Sequence, residues 1–182
     1  MKLPRRPLHL RALGPLPPGL LEWLAAELAA RLPVHPRLAP PWPLHDAWRD
    51  ERRGQYRSNQ IVDALCEDAD GGAVQLAVTA VDLCAPGRRF VFGEATLGGC
   101  CALVSLARLL PADDPAAAGE PARGRLLKES LHELGHVFAL THCTDACVMR
   151  ASRHDAEIDL KPAAFCAACA AGLRTSGPPR RT

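Results

Sequence analysis

The sequence predicts an α/β fold in a single domain, and three observations carry that prediction. Strand-like and helix-like segments alternate from Leu8 onward. One long helical segment carries the run His132-Glu133-Leu134-Gly135-His136. The chain has 182 residues, enough to bury one core, so one domain is the default.

Leu8 to Leu13 alternates apolar with polar or small residues and predicts a first strand, closed by Gly14 and the prolines that follow. Gly19 to Arg31 has helical apolar spacing and strong helix formers, which completes a βα unit. Val34 to Leu38 reads as a short second strand. Pro40-Pro41-Trp42-Pro43 then starts a long connection to a second helix at about Ser58 to Cys66. After Gly71-Gly72, the β-branched content of Val74 to Val81 predicts a strand, and Phe90 to Ala95 and Cys101 to Leu109 predict two more. Pro111 to Gly124 is rich in Pro, Ala, Asp and Gly and reads as a solvent loop. From Arg125, Leu127, Leu131, Leu134 and Phe138 recur at helical spacing as a core face, with Glu129, His132, Glu133 and His136 on neighbouring faces. Periodicity is then lost beyond Met149 until a short helix at Ala163 to Gly172, and residues 174–182 read as a disordered tail.

Net charge is +2, from 22 basic and 20 acidic residues, so no general attraction to nucleic acid or membrane is expected. Lys2, Lys128 and Lys161 are the only lysines; the arginine excess reads as compositional bias. The N-terminus lacks the pattern of a signal peptide, and no apolar run approaches the roughly 20 residues of a membrane helix. A cytoplasmic, monomeric protein is the expectation. Eight cysteines in a reducing compartment then point to metal or free thiols rather than disulfides.

On a helix, residues four apart share a face, so His132 and His136 can hold one zinc while Glu133 reaches a water beside it. His142, six residues on, stands where a third ligand would come, leaving the fourth position open. Cys143, Cys147, Cys166 and Cys169 form a C-x3-C and a C-x2-C pair, the arrangement of a structural four-cysteine zinc site. Two zinc ions are therefore expected, one catalytic and one structural. Cys66, Cys84, Cys100 and Cys101 lie in apolar segments and read as small core residues. A nucleic-acid module on the cysteine site is disfavoured. Between Cys143 and Cys169 there are only Arg150, Arg153, Lys161 and one Phe, against Asp145, Asp155, Glu157 and Asp159.

The spacing His-Glu-x-x-His-x5-His is the metzincin pattern, which also expects a downstream methionine, here Met149. Cys143 directly after His142, the triplet Cys147-Val148-Met149 and Cys166-x-x-Cys169 resemble the archaemetzincin family. So do Gly54-Gln55-Tyr56, Val81-Asp82-Leu83, Phe90 to Ala95, Leu97-Gly98-Gly99, Val104 to Leu109 and Asp159-x-Lys161. The resemblance runs from about Arg53 to Cys169. It implies a metzincin-like domain over residues 1–173, with the zinc helix at about 125–139 and a zinc-stapled cysteine subdomain at about 143–171. The sheet would be mixed and twisted, of four to five strands, with the Phe90 to Thr96 region as an antiparallel edge that pairs with extended substrate.

The resemblance also implies a zinc metallopeptidase with Glu133 as general base and acid, an aminopeptidase or a protease of narrow specificity acting on peptide or protein substrates. Met149 would form the hydrophobic base beneath the histidines. The alternative is a zinc protein that binds peptide or protein partners with little hydrolysis. Three departures stand out. Ala139 replaces the family's glycine three residues after the second His, and the gaps Cys143 to Cys147 and Met149 to Cys166 are each one residue shorter. Where some metzincins place a tyrosine two residues after the methionine, this chain has Ala151, and its only tyrosine, Tyr56, lies far off in sequence.

Overall fold

The computed structural model describes residues 5–69, 72–110 and 119–175. In chain order its elements are β1 (Arg6–Leu13), α1 (Leu20–Arg31), β2 (Val34–Leu38), β3 (Arg49–Asp50), β4 (Gln55–Arg57), α2 (Ser58–Asp68), β5 (Val74–Thr79), β6 (Leu83–Cys84), β7 (Gly93–Ala95), β8 (Cys101–Ser105), α3 (Glu120–Val137), α4 (Asp155–Leu160) and α5 (Ala167–Thr175). The main sheet has the order β2-β1-β5-β8-β7. All of its pairs are parallel except β7 with β8, which is antiparallel, so β7 is the antiparallel edge expected from the sequence.

Helices cover both faces of this sheet. Along β8 the side chains alternate, with Ala102 and Val104 joining α1 and α3 in the larger core. Cys101 and Leu103 join Ile61, Val62 and Leu65 of α2 in the smaller one. Burial on both faces explains why all six residues of β5 are buried, Gln75 and Thr79 included, since parallel strands between two helical layers have no solvent face.

Several boundaries differ from the sequence reading, each for a local reason. The zinc helix starts at Glu120 rather than Arg125, because Pro121 fits the first turn of a helix, where its missing N–H costs nothing. Residues 120–124 are therefore helical and not loop, and 111–118 lie outside the described residues. The strand expected over Phe90 to Ala95 is reduced to Gly93–Ala95, because Val91 pairs instead with Leu83. Leu83 belongs to a small three-stranded sheet, β3-β4-β6, that periodicity does not reveal. β8 ends at Ser105, whose Oγ donates to the Val81 carbonyl and accepts the Ala107 N–H, turning the chain.

α4 was not expected. Arg125 holds it through Asp155 at 3.1 Å and Asp159 at 2.7 Å, and Lys128 donates to the carbonyls of Ile158 and Asp159. The last helix spans Ala167–Thr175 rather than Ala163 to Gly172, so positions 174 and 175 are helical and not tail. Residues 176–182 lie outside the described residues, as does Gly71. Cys66 of α2 and Cys101 of β8 face each other with Cα atoms 5.7 Å apart and are joined as a disulfide, against the expectation of free core thiols. No helix among the described residues is long and apolar enough to cross a membrane.

Candidate active site and cysteine cluster

The candidate site is a cleft of about 490 Å³ between α3, the β7 edge and the segment after Met149. His132, Glu133 and His136 enter it from α3, and His142 from the loop beyond, so all four residues singled out by the motif meet in one place. The imidazole nitrogens of the three histidines lie within 4.8 Å of one another.

The chain reaches His142 through a turn at Ala139. Its φ is 64°, the only left-handed backbone among the described non-glycine residues. The Ala139 N–H donates to the His136 carbonyl at 2.8 Å and the Leu140 N–H to the Gly135 carbonyl at 2.9 Å, the pair of bonds of a Schellman helix end. Glycine adopts that conformation freely and alanine does not. Ala139→Gly is accordingly expected to stabilise the protein by up to about 1 kcal/mol, read as a higher denaturation midpoint with unchanged slope. Lower stability in the variant would contradict the turn.

Second contacts orient the histidines. His132 Nδ1 donates to the Val148 carbonyl at 2.9 Å and His136 Nδ1 to the Leu140 carbonyl at 2.7 Å. Each neutral ring therefore keeps its bare Nε2 for the cleft, and the two Nε2 atoms face one another at 3.1 Å. Two lone pairs at that distance repel, and a cation beside them relieves this. Burial, with Lys161 adding, holds the His132 imidazole down to about 3, and burial lowers His136 as well. Neutral imidazole is the form that ligates a metal, so the residues present fit a zinc ion.

Met149 is fully buried under the helix, its sulfur lying against Gly135, where any Cβ would meet it. Its carbonyl accepts the Cys143 N–H at 3.1 Å, tying this turn to the loop that carries His142. Glu133 lies against Gly93 on β7, where an added Cβ would come within 2.7 Å of its Cγ. Burial pushes the Glu133 carboxyl well above the usual range, with Glu129 and Glu94 adding to the rise and Lys161 opposing it. Glu129, one turn before Glu133, forms a buried ion pair with Lys161 at 2.7 Å.

The sequence reading placed Gly93 and Glu94 within the Phe90 to Thr96 edge along the cleft but gave neither a role of its own, and it did not pair Glu129 with Lys161. For the pair, the signal was the place of Glu129 four residues before Glu133. Ala151 lines the cleft while Tyr56 packs in the smaller core on the other side of the sheet, so among the described residues no tyrosine faces the histidines.

The sulfurs of Cys143, Cys147, Cys166 and Cys169 lie within 4.8 Å of one another, despite the two shortened loops. Cys147 Sγ, fully buried, accepts the backbone N–H groups of Met149 at 3.5 Å and Cys166 at 3.3 Å, which suits a thiolate. Burial pushes the Cys169 thiol up, a cost that a bound dication reverses by deprotonating its ligands. The donor set fits a closed four-sulfur zinc site, next to the first site in sequence and packed on the same core.

Residues 52–175 match peptidase family M54. The archaemetzincin of Archaeoglobus fulgidus is 48% identical over 122 residues, covering 67% of this chain and 71% of that protein. The archaemetzincin of Methanocaldococcus jannaschii is 41% identical over 127 residues, covering 69% of each. Among solved structures, the archaemetzincin of Methanopyrus kandleri superposes with a TM-score of 0.82 at 33% identity, covering 94% of this chain and 95% of that one. A zinc-dependent peptidase from Methanocorpusculum labreanum superposes with a TM-score of 0.79 at 29% identity, covering 91% and 99%. With a family match over two thirds of the chain and a fold shared almost end to end, this chain belongs to peptidase family M54, the archaemetzincins, and is a zinc metallopeptidase of the metzincin type.

Proposed function

We propose that the chain hydrolyses peptide bonds in the cleft beneath β7, with His132, His136 and His142 as ligands of a catalytic zinc and Glu133 as the proton carrier. The observation that carries this is the placement of Glu133 between the histidine cluster and the free edge of the sheet. When bound, zinc supplies a Lewis acid and brings the pKa of a water near 7. Glu133 takes the proton of the attacking water and passes it to the leaving amine. Burial raises the affinity of its carboxylate for a proton, which makes it a stronger base toward the attacking water. The β7 edge offers unpaired backbone groups to an extended substrate, which lies with its scissile bond at Gly93, where no side chain intrudes. Met149 packs under the ligand-bearing turn of α3 and fixes its height.

Cys143, Cys147, Cys166 and Cys169 would hold a second, structural zinc that fixes the loop bearing His142, since Cys143 adjoins that histidine. We read the chain as a monomer acting on peptide or protein substrates, without nucleic-acid or membrane partners, in the cytoplasm. Incubating zinc-loaded protein with a diverse peptide mixture and sequencing the products by mass spectrometry tests the proposal. Cleavage abolished by chelation and restored by zinc is expected; a complete lack of products would favour a peptide-binding role.

A further inference from the structure

The cleft is flanked by arginines that make no ion pair among the described residues. The turn before β7 is fixed from beneath. The Arg88 N–H donates to the Ala85 carbonyl at 3.1 Å, and Gly87 takes a φ of 71°. The Arg53 guanidinium donates to the carbonyls of Arg88 and Arg89, and Gln55 Nε2 donates to the Arg89 carbonyl at 3.1 Å. Arg108 is clamped on Asp82 by two bonds of 2.7 Å and lies over the Phe90 ring at 4.1 Å. These contacts use backbone carbonyls and the flanking residues, leaving the Arg88 and Arg89 side chains exposed. Neither makes an ion pair among the described residues.

Across the cleft stands Arg153, also exposed and without an ion-pair partner among the described residues. Beside it the Ser152 Oγ is buried without a hydrogen-bond partner, a polar atom that a ligand would satisfy. The carboxylates of the same cleft are engaged. Glu94 accepts from Ser58 Oγ, Glu129 is paired with Lys161, and Glu133 is reserved for the proton. Against Arg88, Arg89 and Arg153 stands one cleft carboxylate without a cation partner among the described residues, Glu94, so the balance of charge at the cleft is positive.

A peptide added antiparallel to β7, with its scissile bond at Gly93, runs its C-terminal part toward the residues that precede Gly93 in the chain. Those residues are Phe90, Arg89 and Arg88. We infer that the enzyme prefers peptides with a carboxylate on the C-terminal side of the cleaved bond, bound by Arg88 and Arg89 on one wall and Arg153 on the other. This rests on the cleft being the peptide-cleaving site. The carboxylate can be an Asp or Glu side chain or the peptide's own C-terminus, which present the same planar acceptor to a guanidinium.

The test uses zinc-loaded Glu133→Gln protein, so that binding is read without turnover, and fluorescence anisotropy with matched labelled peptides. One set is amidated and carries Asp or Asn at one position; another has neutral side chains and a free or amidated C-terminus. Tighter binding of a carboxylate peptide by about tenfold is expected, diminished at high salt and removed in the Arg88→Ser/Arg89→Ser double variant. Whichever set shows the difference identifies the source of the carboxylate. Equal affinities, or a preference that survives in the double variant with unchanged melting temperature, overturn the inference. Wild-type protein supplies the second readout, with cleavage expected N-terminal to the carboxylate. Cleavage without carboxylate preference overturns the inference and leaves the peptidase reading intact. Carboxylate-selective binding without any cleavage overturns that reading and supports the arginine wall. No binding of any peptide overturns both.

Discussion

Glu133→Gln is expected to lower peptide turnover by about a hundredfold to ten-thousandfold, the range contributed by a positioned general base, with zinc content unchanged. The substitution keeps the shape of the side chain, so it still fits against Gly93, and it removes only the ability to take up a proton. Substrate affinity should change little, because the amide occupies the same space at the same edge strand. The comparison is kcat against KM on one cleaved peptide, with metal analysis of both proteins. Wild-type activity in the variant would mean that the proton is carried by another group. A parallel loss of zinc would mean that Glu133 acts through the metal site and not on the water.

The second large effect belongs to the cysteines. Replacing Cys166 and Cys169 by Ser removes half of a four-sulfur set whose remaining members, Cys143 and Cys147, cannot complete a tetrahedral site. Binding energy of a structural zinc is folding energy, so the cost is expected on the order of 5 kcal/mol, against a total of roughly 5–15 kcal/mol for a domain. The double variant should be poorly soluble, with a melting transition lowered by ten degrees or more on the order of 2–4 °C per kcal/mol. His132→Ala, by contrast, should stay folded and lose activity, because an open catalytic site contributes chemistry more than cohesion. Comparable stability in the cysteine variant and the wild type would show that the cluster is not a structural metal site.

The contrast between the two clusters explains what was legible in the sequence. Metal-ligand spacing is short-range and chemically specific, so the three histidines and four cysteines could be named and the structure brings each set together. The βα unit at the N-terminus and the long zinc helix followed from periodicity for the same local reason. The small sheet β3-β4-β6 was not legible, since its strands of two and three residues have no period to read, and its pairing depends on Leu83 being carried next to Tyr56. α4 is one and a half turns long and is held by Arg125 and Lys128 from a distant helix. The Glu129–Lys161 pair joins residues 32 apart, which no spacing rule connects. Ala139 is the instructive middle case. Its place after the second histidine marked it as the point of strain, but only the backbone shows that the left-handed turn is kept, with His142 delivered to the other two rings at 5.2 and 5.0 Å.

Zinc counted per chain is the most direct measurement of the site assignment. Reduced, fully loaded wild-type protein should contain two zinc ions, and His132→Ala/His142→Ala should contain one while retaining its fold and losing peptide cleavage. Two zinc ions in that double variant, or an unchanged rate of cleavage, would contradict the assignment of His132, His136 and His142 as the catalytic metal site.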